Sequence, residues 1–450
     1  MLRTALAAVV LLTAMPPAFG QSAAPGTRVV GVHTPVRGDT PELARQLARV
    51  DGQRKVWQAA VAQLQLRPDI KALRLKQAQI EAFTAVIVDA EEVASAAAAR
   101  AGGTPLQLTM RARLDVNTVA RQMAGLKYDQ DASPAIVARW TEMQQLHQQI
   151  AAQTKQRATA AGDEAARIAR EQEQTVRAHD VKHLAARATA GLARTQPATV
   201  GGRVAPEENR LLAGRLAEEA RVLAPDSFDV HLLTGDLLHN AERLEEAEAS
   251  YRKALALNRD SSTAHHKLAE VLRLQGKFDE SIAELRETLR LNPKSAGAHT
   301  DLGLIFRAQD KTEESAAEYR EAIRIDPDWA DAHNGFAVLL ATTGRPDLAV
   351  NEFKEIVRID PDSTIGYFNM ATALADLDRD VEAAAALREV IRIYPDHYNA
   401  HYNLGEMFRL EGKFDEAAKQ FKEYVRLAPN SPQTQRNLRR ARQFIEQYSD

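Results

Sequence analysis

Five histidines recur at one spacing in the second half of the chain, and recurring histidines raise the question of metal chemistry. They stand 34 residues apart or a multiple of that, with Tyr367 in the remaining copy: His231, His265, His299, His333 and His401. A zinc ion needs its ligands within about 2.0–2.1 Å, whereas packed helices stand about 8–10 Å apart. The spacing therefore predicts packing residues that were copied with a repeated unit, and no metal site.

Another histidine pair is similar to the H-E-x-x-H motif of zinc proteases. His179 and His183 are four residues apart, which places both on one face of a helix. Asp180 stands where that motif has its glutamate base, and the segment is polar and rich in alanine. We interpret the pair as part of an exposed helix face. The sequence has no cysteine, no G-x-S-x-G, no P-loop and no dinucleotide-type glycine motif, so it predicts no catalytic residue and no cofactor.

The element that carries the recurring histidines is a unit of 34 residues. Prolines mark it at one position, with Arg259 in the only gap: Pro225, Pro293, Pro327, Pro361, Pro395 and Pro429. In the last copy, apolar residues fall three to four apart on both sides of Gly412, which predicts helix, turn and helix. Small residues share columns, such as Gly303 with Ala337, and predict close helix crossings. The Asp or Asn after several of these prolines is expected to cap the next helix.

This unit resembles the tetratricopeptide repeat. The last copy matches that family's pattern at Leu404, Gly405, Phe408, Gly412, Ala417, Phe421 and Pro429. We count six repeats over residues 228–429, and a polar helix over 430–450 is expected to cover the last apolar face. The predicted fold class is mainly α: an α-solenoid, a superhelix of helix-turn-helix repeats, that follows a helical connector and a small α/β domain.

The resemblance implies a groove, because in this family the first helix of each repeat lines the concave side. Two columns of first-helix residues supply the candidate partner-binding residues His266, Arg273, Thr300, Arg307, Asn334, Phe368, Tyr402 and Arg409. Aromatic side chains bury area at low entropic cost, and arginine pairs with carboxylates and phosphates. For any single residue, a solvated helix face is the open alternative.

Residues 1–20 have the layout of a secretory signal peptide. Arg3 precedes an apolar run from Thr4 to Met15, and small residues near Gly20 offer a cleavage site. The run is too short to span a bilayer, and no later stretch is long and apolar enough. We therefore expect an exported protein, secreted or periplasmic; a disordered apolar start is the alternative. The formal net charge of −3 does not indicate a nucleic-acid binder.

Residues 28–127 predict a small α/β domain. The pattern predicts a strand over 28–33, helices over 40–65 and 68–83, strands over 84–93 and 106–116, and a short helix from Asn117 to Leu126. The helix segment Asp51–Trp57 and the strand end at Leu114, Asp115 and Val116 resemble the small envelope domain at the front of certain bacterial flagellar-assembly and outer-membrane proteins.

Residues 134–195 predict a helical hairpin or a bent connector. A partial heptad seam, suggestive of a coiled coil, is formed by Ile136, Trp140, Met143 and Ile150. Gly162 can end one helix before the next, and a solvated helix pair with little packing is the alternative. Residues 196–227 predict a linker and a lone helix, which resembles the second helix of a repeat without its first.

Together these features predict an exported, non-enzymatic scaffold. It would bind a protein or peptide segment in the concave groove and act in cell-envelope assembly. Two alternatives stay open: an enzyme or accessory subunit with a site in residues 28–127, and a structural homo-oligomer that assembles through the connector.

Overall fold

The computed structural model describes residues 28–33, 40–96, 106–113, 132–192 and 207–448, together with 119, 122, 123 and 126. The signal peptide expected over 1–20 and the start of the helix expected at Asn117 lie outside these residues. Contacts divide the described residues into two compact units, the first ending at Arg259 and the second beginning at Asp260. The division falls at the one repeat position where the periodic proline is missing.

The first unit starts with a three-stranded antiparallel sheet and three helices. The elements are β1 (Arg28–His33), α1 (Pro41–Leu64), α2 (Pro68–Ala72), α3 (Gln77–Ile87), β2 (Asp89–Ala96) and β3 (Leu106–Arg113), with the strands in the order β1-β3-β2. Thr40 caps α1 by accepting a hydrogen bond from the N–H of Leu43 at 3.1 Å. Leu108 and Met110 on β3 are both buried, in agreement with the alternation.

Two expectations for this region are wrong. The strand expected over 84–93 begins only at Asp89, because α3 continues through Ile87 and buries Phe83 and Ala85 against α1. Short apolar runs fit a strand and a buried helix equally well, and here packing decides for the helix. The helix expected over 68–83 is interrupted, since Arg74 has a φ of 53° and separates α2 from α3.

A helical hairpin follows, built from α4 (Ala132–Thr159) and α5 (Gly162–Leu192). Gly162 makes the turn with a φ of 59°, a conformation that glycine adopts without strain. Ile136 and Met143 of the seam lie in the same core as Trp57 of α1. The seam is therefore covered within the first unit, and the solvated-pair alternative does not hold.

The helix expected to stand alone has a partner. This helix, α6 (Glu207–Leu223), packs along α5, and both contact the first repeat, α7 (Phe228–Asn240) and α8 (Leu244–Leu257). Ala188 and Leu192 of α5 share a core with Leu216 of α6 and Leu233 of α7. The last turns of α5 thus take the place of the first helix that the sequence lacks before α6.

The second unit is a stack of five helix pairs and a closing helix. The pairs are α9 (Ser262–Leu274) with α10 (Phe278–Leu291), α11 (Ala296–Ala308) with α12 (Thr312–Ile325), α13 (Ala330–Thr342) with α14 (Pro346–Ile359), α15 (Thr364–Ala375) with α16 (Asp380–Ile393) and α17 (Tyr398–Leu410) with α18 (Phe414–Leu427); α19 (Pro432–Tyr448) follows. Each second helix packs on the next first helix, and α19 packs on α18. The mainly α solenoid is confirmed.

The helix starts differ by one residue from the expectation. Ser261, Ser295 and Ser363 accept the capping hydrogen bond from the N–H three residues on, at 3.2–3.3 Å. The acidic residue after the proline instead reaches a second helix, as in the ion pair between Asp328 and Arg358 at 2.7 Å. The prolines therefore end one helix, and serine begins the next at three of the five repeats.

Candidate partner-binding surface

The first helices of the second unit form one surface. Successive first helices contact each other, α9 with α11 and α11 with α13, in addition to their own second helices. Side chains also bridge repeats on this side: the amide of Asn369 donates to Asn334 Oδ1 at 3.2 Å. We call this side, formed by α9, α11, α13, α15 and α17, the inner surface.

At the start of the inner surface, candidate residues are used to join repeats. The Asp301 carboxylate lies 2.9 Å from His266 Nε2 and 3.3 Å from Arg273 Nε, although the latter contact lacks hydrogen-bond geometry. Burial alone would raise the pKa of Asp301, but the His266 hydrogen bond and the charges of His266 and Arg273 outweigh it and lower that pKa. His266 and Arg273 thus hold the second and third repeats together.

Two other candidates lie too deep to meet a partner. Thr300 is 5% exposed, and its hydroxyl donates to the Ala296 carbonyl at 2.9 Å. Tyr402 is 9% exposed, and its ring centre lies 4.9 Å from that of Tyr424 and 5.7 Å from that of Phe421. Both residues are part of the packing between helices.

The middle of the inner surface is accessible and mostly apolar. A strip of half-buried apolar side chains crosses the third to fifth repeats: Leu304, Val338, Ala341, Phe368 and Ala375. Arg307 is half-buried in the same helix as Leu304 and forms no ion pair with any described residue. At the far end, Arg409 is 41% exposed and pairs with Glu406 at 2.9 Å. We call Leu304, Val338, Ala341, Phe368 and Ala375 the apolar strip.

Sequence reasoning identified Arg307, Asn334, Phe368 and Arg409 on this accessible surface but missed Leu304 and Val338. These two stand four residues after Thr300 and Asn334, so they lie on the same helix face one turn later. This spacing of four residues was the sequence signal from which Leu304 and Val338 could have been predicted.

Four of the five recurring histidines connect the two helices of their own repeats. The Nδ1 atoms of His265, His299 and His333 lie 2.6 Å from the carboxylates of Glu284, Glu318 and Glu352, and His401 meets Gln420 at 2.7 Å. Burial would lower the pKa of His333, but its hydrogen bonds to the Glu352 carboxylate and to the Pro327 carbonyl raise it overall. No group of three acidic or histidine side chains among the described residues is arranged for a metal ion.

The expectation of an exposed face at His179 and His183 is wrong. His179 is fully buried, and the His183 ring centre lies 4.9 Å from that of Trp57 on α1. The ring centre of His147 on α4 lies 4.6 Å from that of His179. The pair faces the inside of the first unit.

A cleft of about 820 Å³ opens between α1, β2, α5 and α6 in the first unit. Its charged walls are largely paired: Arg45 lies 3.1 Å from Glu92, and Arg49 binds Asp180. The lining contains no serine, threonine, tyrosine or lysine. Its one histidine, His183, has a pKa lowered by burial and by the charges of His179 and Arg187 to about 3. The ionisable groups of this lining are therefore carboxylates, guanidiniums and this one histidine.

None of the helices in the described residues has the length and apolar character needed to cross a bilayer.

Comparisons with known proteins agree with this architecture. The family model described as "Tetratricopeptide repeat" matches residues 209–262, 266–329 and 368–432. Among solved structures, PilF of Pseudomonas aeruginosa is 20% identical, with 47% of this chain and 97% of that chain covered and a TM-score of 0.42. YrrB, described as a protein of this family with an unusual peptide-binding site, is 22% identical, with coverage of 41% and 95% and a TM-score of 0.31.

The Cut9–Hcn1 hetero-tetramer of the APC/C is 12% identical, with 91% of this chain and 68% of that chain covered and a TM-score of 0.47. At these identities the likeness concerns the fold alone. No curated protein matches the chain significantly.

Proposed function

We propose that the protein, whose residues 209–262, 266–329 and 368–432 match the tetratricopeptide repeat, is a non-catalytic scaffold that holds a segment of another protein on its inner surface. The family supports protein partners in general. In this proposal the binding site is the accessible middle of the inner surface, and its side chains determine the chemistry of the segment that binds there.

The observation that carries the proposal is Arg307 beside the apolar strip. A half-buried guanidinium has lost part of its hydration, and without a carboxylate partner it is not compensated within the described chain. Arginine forms strong bidentate bonds to carboxylates. Leu304 and Val338, on neighbouring first helices, offer apolar area next to it.

The bound segment therefore carries an acidic side chain or a terminal carboxylate, with apolar residues next to it in sequence. The carboxylate meets Arg307, and the apolar side chains cover the strip. A hydrogen-bonded charge pair of this kind contributes about 1.5–3 kcal/mol, which corresponds to roughly a tenfold or larger change in affinity.

Site-specific crosslinking tests this arrangement. A photoreactive amino acid is placed at Val338 on the inner surface, or at Arg324 on α12, where the native side chain is 71% exposed and pairs with Glu321 at 2.6 Å. We expect a discrete protein adduct from position 338 and none from 324. Equal adducts from both positions would contradict an inner-surface site.

Matched charge variants test the chemistry. Arg307→Gln should reduce the adduct at least tenfold, whereas Arg324→Gln should leave it unchanged, because Arg324 already pairs with Glu321 while Arg307 pairs with none of the described residues. With the crosslinker kept at position 338, Ala341→Asp should also abolish the adduct, since it places a charge in the strip. If Arg307→Gln has no effect while Ala341→Asp does, the segment is apolar only.

We further propose that the protein is exported and acts in cell-envelope assembly. The support is the signal-peptide layout of residues 1–20, with its positive start, short apolar run and small residues before Gln21. Fractionation of cells that make the full chain should recover a shortened protein outside the cytoplasm. Deletion of residues 2–20 should retain it inside, and an unshortened cytoplasmic protein in both cases would contradict export.

A further inference from the structure

Five rings of the first unit form one cluster between α1, α4 and α5, in which Trp57 and His179 are fully buried and the other three are half-buried: Trp57, Trp140, His147, His179 and His183. Trp57 is at its centre, with ring centres 5.7 Å from Trp140, 6.5 Å from His147 and 4.9 Å from His183. The cluster joins α1, which packs on the sheet, to the α4–α5 hairpin. We call it the histidine cluster.

The cluster is poorly provided with hydrogen bonds. The atoms Trp57 Nε1, His147 Nε2 and His179 Nε2 are buried without a hydrogen-bond partner among the described residues. His183 Nε2 lies 3.3 Å from the carbonyl of Ala85 on α3. An imidazole whose buried nitrogen has no partner among the described residues, such as His147 Nε2, is tolerated when neutral, but a second proton would add a charge without an acceptor at that atom.

The charged groups around the cluster do not compensate for such a proton. From α1, Asp51 and Arg54 act on His147 with opposite signs, and on α5 His183 lies near both Asp180 and Arg187. Asp180 is engaged by Arg49 of α1 and by His179 Nδ1 at 3.3 Å. Burial, followed by the charges of His179, Arg54 and His183, lowers the pKa of His147 to about 3, and the pKa of His183 is also lowered to about 3.

We propose that the histidine cluster is an acid-sensitive latch, which holds the α4–α5 hairpin against α1 at neutral pH and releases it at mildly acidic pH while the second unit stays folded.

The direction of this pH dependence follows from the coupling between proton binding and unfolding. A histidine whose folded pKa is depressed binds protons more readily once exposed, so stability is lost as pH falls below its exposed pKa of about 6.5. At pH 5 the equilibrium for opening rises at least tenfold for each of His147 and His183. The pKa of Asp180 is lowered in spite of burial, so its carboxylate adds to the loss of stability only below about pH 4, under the window of the histidines.

The second unit contains a histidine whose pKa is shifted in the opposite direction. The pKa of His333 is raised, chiefly by the Glu352 hydrogen bond against burial, so the stability from this pair is fully present below pH 6.5 and is lost as pH rises. Acid therefore weakens the first unit's latch in a range where the His333–Glu352 pair is retained.

Hydrogen exchange of the full chain between pH 7.5 and 4.5, corrected for intrinsic rates, tests the latch. We expect opening in peptides from 132–192 to increase at least tenfold between pH 7 and 5, with no increase in residues 262–427. Fluorescence gives a second readout: in a Trp329→Phe background, Trp57 and Trp140 report directly on the cluster, since the chain has 3 tryptophans.

Variants assign the effect to the cluster. His147→Phe replaces an imidazole whose Nε2 has no partner, and it should shift the exchange and fluorescence midpoints to lower pH. His401→Gln in the second unit is the control and should leave both midpoints in place. Coincident transitions in the two units, or a midpoint unmoved by His147→Phe in a folded variant, would overturn the proposal.

If His147→Phe does not fold, the pH dependence of hydrogen exchange in the wild-type protein still tests the latch. Opening of 132–192 that does not change between pH 7 and 5 excludes a latch in this range.

Discussion

Tyr319 lies fully buried between two glycines, Gly303 on the first helix of its own repeat and Gly335 on the next first helix. A Cβ atom at Gly335 would stand 2.4 Å from Tyr319 Cε1 and 2.6 Å from its Cζ, and one at Gly303 would stand 2.7 Å from the same Cε1. The ring cannot retreat from one glycine without approaching the other. We therefore expect Gly335→Ala to be destabilising.

Two effects oppose each other in this substitution. Alanine is favoured over glycine inside a helix by about 1 kcal/mol, whereas overpacking of a filled core costs about 1–3 kcal/mol. The net change is a loss of about 1 kcal/mol. In a Tyr319→Leu background the clash disappears, and Gly335→Ala should stabilise by up to about 1 kcal/mol. Leucine already occupies this repeat position at Leu285 and Leu387.

The assay is a double-mutant cycle on the full chain. Native-state hydrogen exchange in urea, read from peptides of α12 and α13, gives the free energy of unfolding of this part of the second unit. We expect a coupling of about 1–3 kcal/mol between positions 319 and 335. Additivity within about 0.5 kcal/mol would refute the idea that the ring is held between the glycines.

Three further predictions concern the second unit. Ala349→Leu overpacks a fully buried crossing and should lower the free energy of unfolding by about 1–3 kcal/mol, measured by urea titration. Glu352→Gln removes the group that raises the pKa of His333, so the loss of stability that the wild type shows as pH rises through that pKa should flatten in the variant's pH profile. Asp301→Asn leaves the charge of Arg273 uncompensated at the junction of the second and third repeats, and should cost about 1–3 kcal/mol, with faster exchange in α9 and α11 as the readout.

Periodicity made the repeats predictable, because each copy restates the same core positions. Ala349 lies in a column of small residues, and the structure buries it completely. No such repetition supported the first unit. The run from Ala85 to Val88 fits a strand or a buried helix, and only its contact with α1 decides.

The remaining misses share one cause, which is a partner distant in sequence. His179 and His183 stand in a polar segment, yet the ring partner of His183, Trp57, lies more than 120 residues earlier, and that of His179, His147, lies on another helix. Within the candidate surface, a column could be assigned to first helices, but whether Thr300 faces outward or packs inward depends on the rotation of each helix. The spacing of residues in the repeats does not specify how far each helix is rotated about its own axis.

Helix α5 spans 31 residues, about 46 Å at 1.5 Å per residue. Its early turns pack against α4, and its last turns serve as the missing half of a repeat for α6. If the chain were divided between 193 and 206 for expression, Leu192 would become exposed in the N-terminal fragment and Leu216 in the C-terminal fragment. Both fragments would then tend to aggregate. Soluble fragments should begin before α5 or after Arg259. Because α5 is one continuous helix, a force applied at its contact with α4 would be transmitted along it to the first repeat.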